Sequence, residues 1–297
     1  MAEENNQKPA PKVNPRINAL KNVMNADSVQ EQFKNALKEN SGTFIASVID
    51  LYNSDSGLQE CDPVKVVNEA LKAAVLKLPI NKALGFAYII KFNNSHFDQE
   101  VGKWIKIPTP TFVPGYKGYI QLAMRTGYYR SINADVVYEG ELQKTNKLTG
   151  EIKLDGEKTS DKIVGYFAHF ELLNGFSKTL YVSVQNMAKH AKQYSPSIKN
   201  DNKVLLDTLI QLSGKDSTGL GWTGDFDSMA LKTVLRNLLS KYGYLSVEMQ
   251  TAITNDYESE STTPAITQAT VIDIDAEDIT PSSGEEKKEE QKPPYMQ

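Results

Sequence analysis

Residues 111–130 read TFVPGYKGYIQLAMRTGYYR and carry the signals for a strand, a helix and a second strand in succession. Pro114 and Gly115 favour a helix start and Gly127 favours its end, while β-branched and aromatic residues flank both sides. The stretch holds three cations and no carboxylate, inside an acid-free window that covers residues 101–134. It therefore predicts a strand–helix–strand unit, and a surface whose partner disfavours negative charge.

Cations recur at helical spacing on two predicted helices. Residues four apart lie on the same face of a helix. On the first helix this face carries Lys117, Gln121 and Arg125. On a later helix, predicted over residues 227–242, the cations are Lys232, Arg236 and, near its end, Lys241.

Three further windows also lack acids, at residues 70–97, 172–200 and 228–247, and the second contains Lys189 and Lys192. Ordinary surfaces mix both signs of charge, so this sorting predicts a polyanionic partner such as nucleic acid. Six aromatic residues are candidate stacking platforms for unpaired bases: Trp104, Phe112, Tyr116, Tyr119, Tyr128 and Tyr129. Residue by residue, a solvated cation or a core aromatic is the simpler interpretation.

The order of predicted elements is helices, strands, a helix, strands and helices. CDPVKVVNEALKAAVLKL (residues 61–78) predicts a helix capped by Asp62, with an apolar stripe of Val64, Val67, Leu71, Ala74, Val75 and Leu78. A hairpin is predicted around NNSHFDQEVG (residues 93–102), and another turns on Asn174-Gly175 as a two-residue type I′ turn. We therefore predict an α+β fold with an antiparallel sheet packed against helices in a single core.

Charge divides the chain into unlike parts. Residues 255–297 hold three cations against eleven acids, a net charge of −8, whereas the preceding 254 residues carry +4. We predict a flexible arm over residues 1–25, a core over 26–254 and an acidic disordered tail over 255–297. The tail contains one apolar alternation, ATVIDIDAEDI (residues 269–279), which favours a docking segment. A purely solvating tail is at least as compatible with this composition.

Several kinds of site are missing from the sequence. It has no G-x-x-x-x-G-K-[ST] motif for ATP, its three histidines show no metal-ligand spacing, and its single cysteine, Cys61, cannot form an intrachain disulfide. Asp225 and Asp227 suggest nuclease metal ligands, but before a helix they are more simply capping acids. No membrane span or secretory signal is apparent. We predict a cytoplasmic protein that is not an enzyme and has no cofactor or metal.

Three stretches together resemble the RecT family of phage single-strand annealing proteins, which is related to the Redβ proteins. They are similar to the family's N-terminal, central and C-terminal motifs in the family's order, and they span most of residues 50–245: LKAAVLKLPINKALGFAYIIKF (71–92), FVPGYKGYIQLAMRTGYYRSINADVVYEGE (112–141) and GWTGDFDSMALKTVLRNLLSKY (221–242). This chain departs from the family pattern at Lys91, where relatives often have Pro, and in SKYGYLS (residues 240–246).

The resemblance implies a protein of a phage or prophage in a bacterial host. Such a protein coats single-stranded DNA, pairs it with a complementary strand without ATP, holds the annealed duplex, and assembles side by side into rings or helical filaments. The residues that the resemblance implies as DNA contacts are five of those selected by helical spacing: Lys117, Gln121, Arg125, Lys232 and Arg236. The acidic tail carries a second hypothesis: it recruits a host single-stranded DNA-binding protein or a phage exonuclease, or it screens the basic groove by mimicking DNA.

Our hypothesis places one DNA strand in a basic groove between the two helices and the strand IKIPTPTF (residues 105–112). Strand residues contact the backbone, aromatic residues stack or wedge, and helical residues bind phosphates. The full predicted set is Lys106, Thr109, Thr111, Phe112, Tyr116, Lys117, Gln121, Arg125, Lys189, Lys192, Lys232, Arg236 and Lys241. Replacing Lys117 and Arg236 by Ala is expected to abolish annealing without disturbing the fold. The alternative is a passive single-stranded DNA protector without pairing activity.

Overall fold

The computed structural model describes residues 15–99, 102–146, 148–199, 201 and 203–260. Its helices are α1 Pro15–Met24, α2 Asp27–Leu37, α3 Ser41–Ser54, α4 Pro63–Val75, α5 Tyr116–Arg125, α6 Val184–Tyr194, α7 Pro196–Lys199, α8 Leu206–Ile210, α9 Phe226–Tyr242 and α10 Val247–Glu260. Its strands are β1 Ala87–Asp98, β2 Lys103–Pro114, β3 Tyr129–Tyr138, β4 Lys144–Asn146, β5 Glu151–Lys153, β6 Ile163–Leu172 and β7 Ser177–Ser183. Among the described residues, no helix combines the length and apolar character needed to cross a membrane.

All the described strands pair antiparallel, in three separate sheets. β1 and β2 form a long two-stranded ribbon, β3, β6 and β7 form a sheet in the order β3-β6-β7, and β4 pairs with β5. Helices α4 and α10 pack against β2, while α9 packs against β6, β7 and α5. The predicted α+β fold with antiparallel strands and packed helices is therefore confirmed.

The core is continuous from the N-terminal helices to the sheet. α9 is its centre, because ten of its residues are buried: Phe226, Ala230, Leu231, Lys232, Thr233, Val234, Leu235, Arg236, Leu238 and Leu239. An amphipathic surface helix buries one stripe, whereas this helix is enclosed over most of its circumference. Two cations are consequently among the buried side chains.

α4 begins as the sequence predicts but buries a different face. The Asp62 side chain accepts the Val64 backbone N–H at 2.9 Å, and Pro63 occupies the first helical position. The predicted apolar stripe is wrong at Val64, which is 49% exposed, and at Val75, which is 56% exposed, whereas Val67, Ala74 and Leu78 are buried as predicted. The helix instead buries small residues and valines that let neighbouring helices approach: Val66, Val67, Ala70, Ala73 and Ala74.

The turn between β6 and β7 is at the predicted place but is not of the predicted type. A type I′ turn requires a positive φ at both central residues. Gly175 has φ of +86°, whereas Asn174 is not among the residues with positive φ. The Leu172 backbone N–H donates to the Phe176 carbonyl at 2.8 Å, so the connection is longer than two residues.

Both ends of the core extend further than the sequence predicts. The predicted arm over residues 1–25 includes α1, whose Leu20 and Met24 are fully buried. The predicted tail from residue 255 includes the end of α10, where Asp256 is fully buried. Residues 1–14 and 261–297, including the alternation at 269–279, lie outside the described residues. The C-terminal boundary of the core therefore lies beyond residue 255, because buried Asp256 pairs with two buried cations.

Gly118, in the middle of α5, lies so close to the backbone of another segment that an alanine there is expected to destabilise the protein. A Cβ at this position would lie 2.2 Å from the Phe86 carbonyl oxygen and 3.3 Å from Leu78 Cδ1. Gly118→Ala is therefore expected to lower the free energy of unfolding by about 1–3 kcal/mol in urea titrations, despite the better helix propensity of alanine.

Gly42 in the first turn of α3 is the matched control. No described atom outside its chain neighbours lies within 4 Å of a Cβ built there. Gly42→Ala is expected to raise the free energy of unfolding by about 0.5–1 kcal/mol, because alanine restricts the unfolded chain. Equal effects of the two substitutions would contradict the close approach at Gly118.

Candidate nucleic-acid interface

One face of the β1–β2 ribbon is only partly covered by the rest of the protein. Residues directly opposite each other in an antiparallel pair lie on the same face, and alternate residues share it. Because Ile90 pairs with Thr111 and Tyr88 with Val113, one face carries Tyr88, Thr109 and Thr111. These three side chains are half-buried, whereas Ile89 and Phe112 on the opposite face are buried.

The first turn of α5 continues this face. Gly115 donates its backbone N–H to the Phe86 carbonyl at 2.9 Å, which holds the start of α5 against the start of β1. A Cβ built on Gly85 would lie 3.3 Å from Tyr88 Oη and 3.6 Å from Lys117 Cδ, so these two side chains flank the same point. Tyr116 is half-buried and Lys117 is exposed.

The strand alternation adds one residue that is not in the predicted set of DNA contacts. Lys103 is exposed and lies on the face of β2 that carries Thr109 and Thr111. Lys106 is also exposed, but its alternation places it on the opposite face. We name as the ribbon surface the set Tyr88, Lys103, Thr109, Thr111, Tyr116 and Lys117.

The two tyrosines of the ribbon surface remain protonated hydrogen-bond donors. Burial raises the pKa of both Tyr88 and Tyr116; the charge of Asp225 raises that of Tyr88 further, and the charges of Asp135 and Asp225 raise that of Tyr116 further. Asp225 is the N-cap of α9, because its Oδ1 accepts the Ser228 backbone N–H at 3.0 Å. The helix dipole stabilises that carboxylate and reduces its repulsion of an anion on the surface.

Phe112 does not lie on the candidate interface. Its side chain is 1% exposed and belongs to the core, and its backbone N–H donates to Glu69 Oε2 at 2.8 Å. The expectation that Phe112 stacks on or wedges between bases is therefore not supported by its position. The sequence could not separate the two faces, because β2 has an apolar or aromatic residue on each.

Lys232 and Arg236 do not form an open basic face. They are 3% and 1% exposed, and both bind one carboxylate, with Lys232 Nζ 2.5 Å from Asp256 Oδ1 and Arg236 Nη1 2.7 Å from Asp256 Oδ2. Tyr119 Oη donates to Asp256 Oδ2 at 3.0 Å. Burial raises the pKa of Asp256, but the two cations outweigh it and hold that pKa below its usual range. The expectation of an exposed face on α9 is wrong in the described chain.

Two other predicted DNA contacts are engaged by backbone carbonyls. The Arg125 guanidinium donates to the Leu76 carbonyl at 2.7 Å and the Lys77 carbonyl at 2.8 Å, so it caps the C-terminal end of α4. Lys192 Nζ donates to three carbonyls within 3.2 Å, those of Ile198, Asp201 and Val204. Both cations therefore stabilise the fold locally.

The remaining predicted residues are dispersed. Lys189 on α6 and Lys241 on α9 are exposed, and Lys241 Nζ lies 5.3 Å from the centroid of the Tyr242 ring. Gln121 is half-buried, with its Oε1 buried and without a hydrogen-bond partner among the described residues. The structure thus brings together Thr109, Thr111, Tyr116 and Lys117 from the predicted set.

Comparison with known proteins identifies the family. A model of the RecT family matches residues 42–271. The chain belongs to the RecT family. It is 41% identical over 275 residues to the uncharacterized protein YqaK of Bacillus subtilis (strain 168), across 92% of this chain and 83% of that protein. It is 27% identical over 206 residues to Protein RecT of Escherichia coli (strain K12), across 67% of this chain and 65% of that protein.

Membership of the RecT family gives the ribbon surface a chemical context. Proteins of this family are recombination proteins that bind and anneal single-stranded DNA, form oligomers, and are annealing proteins rather than catalytic enzymes. The resemblance found in the three sequence motifs is therefore confirmed. A surface that binds unpaired DNA needs cations for phosphates and donors or rings for sugars and bases. The ribbon surface has both.

The carboxylates that suggested a nuclease have other partners in this RecT-family chain. Asp225 caps α9, and Asp227 accepts the Tyr166 hydroxyl at 2.5 Å and the Gly214 backbone N–H at 2.9 Å. Within the described residues, no group of three or more His, Cys, Asp and Glu side chains is arranged to hold a metal ion. Both acids contribute to the fold around the start of α9.

An exposed aromatic pair lies at another turn of the RecT-family fold. Tyr128 and Tyr244 are 49% and 46% exposed, and their ring centroids are 4.0 Å apart. The neighbouring Tyr129, in contrast, is 5% exposed and packs edge-on against Phe170. Of the six aromatic residues predicted as platforms, Trp104 and Tyr128 are exposed, Tyr116 is half-buried, and Phe112, Tyr119 and Tyr129 are in the core.

His190 on α6 predicts a pH dependence of stability. It packs beside Tyr194 and Trp222, and burial, followed by the charge of Arg236, lowers its pKa from 6.5 to about 3. The unfolded chain takes up a proton below pH 6.5 while the folded chain does not, so stability is complete above pH 6.5 and is lost as the pH falls. Between pH 6.5 and 4.5 we expect urea titrations to show a loss of about 2 kcal/mol.

The His190→Gln variant tests the assignment of this pH dependence. It should flatten the dependence between pH 6.5 and 4.5, because the group that titrates in the unfolded chain is gone. Asp55, whose hydrogen bond and ion pair with Lys82 lower its pKa despite burial, takes up its proton below this range and is therefore not the source of the slope. An unchanged slope in the variant would contradict the role of His190.

Proposed function

We propose that this RecT-family protein binds single-stranded DNA along the ribbon surface and anneals it to a complementary strand without ATP, in homologous recombination of a phage or prophage. The observation that carries the proposal is the alignment of Lys103, Lys117 and the two tyrosines along one partly covered face. Three acids lie near this face: Asp98 is paired across the ribbon with Lys103, Asp135 lies near Tyr116, and the charge of Asp225 is stabilised at a helix start. A basic, aromatic and hydroxyl-rich strip is suited to a flexible polyanion with exposed bases.

The separation of the two lysines suits a DNA backbone rather than a small anion. Lys103 and Thr111 are eight residues apart on one strand, which corresponds to about 26 Å of extended chain. The face therefore spans several nucleotides between Lys103 and the start of α5, where Lys117 lies. Hydroxyl donors between the lysines contact sugar and phosphate oxygens, and phosphate contacts leave base edges available to an incoming strand.

The remaining cations define a broader electrostatic field. Lys106, Lys189 and Lys241 are exposed and attract DNA to the protein without belonging to the ribbon surface. Arg125, Lys192 and Gln121 position α5 and α6 rather than contact DNA. The direct contacts are therefore four residues of the predicted set, Thr109, Thr111, Tyr116 and Lys117, together with Tyr88 and Lys103.

Assembly and partners belong to the same proposal. We propose that the core, now taken from residue 15 to residue 260, assembles side by side into a ring or helical filament along the DNA and holds the annealed duplex. The segment 261–297 would dock a host single-stranded DNA-binding protein or a phage exonuclease, since its acids and alternating apolar residues fit a basic, apolar groove.

An annealing assay separates this function from passive protection of single strands. Two complementary labelled oligonucleotides are added to the protein one after the other, without ATP or metal, and pairing is followed at low and high salt. We expect pairing well above the protein-free rate, lost together with binding at high salt. Tight binding that slows pairing would establish a protector instead, and loss of intact strands on addition of metal would establish a nuclease.

A further inference from the structure

α10 covers the place where sequence reasoning located the DNA groove. It packs against β2 and α5, and Asp256 near its end reaches Lys232 and Arg236 on α9. These three elements are the strand and the two helices of the predicted groove. An acidic helix of the chain itself therefore occupies the space expected for DNA.

The buried stripe of α10 is apolar except at its last position. Met249, Ala252 and Ile253 pack inward, and Asp256 follows one turn later on the same face. Burial of a carboxylate is unfavourable unless it is paired, so the choice of Asp at this position requires the cations beneath it. The acid is therefore specific to the surface that α10 covers.

The groups around Asp256 are those that bind a phosphate. An ammonium from Lys232, a guanidinium from Arg236 and a hydroxyl from Tyr119 converge on the two oxygens of one anion at 2.5–3.0 Å. Charge-assisted donors of this kind bind carboxylate and phosphate with similar geometry.

The connection to α10 allows the helix to move while its start stays fixed. The Tyr244 carbonyl accepts the Tyr129 hydroxyl at 3.0 Å, and the Tyr128 ring packs on the Tyr244 ring. The chain between α9 and α10 is thereby anchored at Tyr244. α10 begins beyond this anchor, at Val247, so the helix itself is held in place by its packing against β2 and α5.

We propose that Lys232, Arg236 and the Tyr119 hydroxyl form a second DNA-phosphate site, which Asp256 occupies until DNA displaces α10. This inference rests on the proposed function, because it extends the ribbon surface into the groove between β2 and α5. Because α10 must be displaced, full binding requires a ligand that supplies phosphates both to the ribbon surface and to the second site. A single strand lying along the ribbon surface does so, whereas an isolated anion does not.

Hydrogen exchange in the unmodified protein tests whether α10 moves. Backbone amides of α10 (Val247–Glu260) are compared without and with a saturating single-stranded oligonucleotide, and α6 (Val184–Tyr194) serves as the internal reference. Displacement predicts that α10 amides exchange at least tenfold faster with DNA bound while α6 is unchanged. Unchanged or slower exchange in α10 would show that the helix is a fixed part of the core.

The Asp256→Asn variant tests whether the acid competes with DNA. Removing the competing charge is expected to raise the affinity for a single-stranded oligonucleotide about tenfold at a fixed salt concentration. Glu248→Gln is the matched control, because Glu248 is an exposed acid on the same helix and its replacement changes the net charge equally. The control is expected to raise affinity less than about twofold.

The outcomes separate this inference from the function on which it rests. Faster exchange in α10 together with tighter binding by Asp256→Asn supports the second site. Oligonucleotide binding by the unmodified protein with a protected α10, or equal affinities of the two variants, overturns the second site and leaves the ribbon surface in place. Failure of the unmodified protein and of the folded Asp256→Asn variant to bind the oligonucleotide overturns both.

Discussion

The Arg236→Ala variant is expected to lose about 3 kcal/mol or more of its free energy of unfolding, measured by urea titration of the DNA-free protein. Arg236 is 1% exposed, donates to Asp256 at 2.7 Å and stacks its guanidinium 4.6 Å from the centre of the Tyr257 ring. A hydrogen bond between charged groups contributes about 1.5–3 kcal/mol, and removal of a large buried side chain adds a cavity. Both losses lower the free energy of unfolding, so their effects add.

Arg130→Ala is the matched control for this prediction. Arg130 also pairs with a carboxylate at 2.8 Å, that of Glu171, but its side chain is 59% exposed. Solvent-exposed pairs contribute at most about 1 kcal/mol, so this variant should be nearly as stable as the unmodified protein. Similar losses in both variants would contradict the enclosed position of Arg236.

This prediction changes the interpretation of a simple functional experiment. A double substitution of Lys117 and Arg236 was expected from the sequence to affect annealing alone. With Arg236 buried, loss of activity in that variant would combine lost DNA contacts with lost stability. Substitutions on the ribbon surface avoid this problem, since Lys103 and Lys117 are exposed.

The local structure could be predicted well from the sequence. The Asp62 cap of α4 and the end of α5 just before Gly127 both follow from local signals in the sequence. Caps, turns and periodicity act over a few residues, so the sequence contains them in full. α10 was missed because its charged and polar residues obscure a short apolar stripe.

The site was predicted less well, because burial depends on distant residues. Lys232 and Arg236 have the spacing of a solvent-facing pair, and only Asp256, twenty residues beyond Arg236, converts them into a buried cluster. Arg125 and Lys192 similarly satisfy carbonyls on other elements. Helical spacing places such cations on one face but does not reveal what covers that face.

The Lys103→Ala and Lys117→Ala double variant is expected to bind single-stranded DNA about 60-fold more weakly at 50 mM salt, and about tenfold more weakly at 200 mM. Each lysine that neutralises a phosphate on a single strand releases about 0.7 counterion, so two lost contacts change the slope of log affinity against log salt by about 1.4. The measurement is oligonucleotide affinity over a series of salt concentrations, followed by the annealing rate.

Lys144→Ala with Lys153→Ala is the matched control, because these exposed lysines face each other across β4 and β5 and their removal changes the net charge equally. If DNA responds only to the overall charge, both double variants will lose affinity alike and the ribbon surface will have no special role. If DNA lies along the ribbon surface, the control should lose less than about threefold and keep its salt slope. The slope of log affinity against log salt distinguishes the two cases, because it depends on the number of phosphates contacted rather than on charge at a distance.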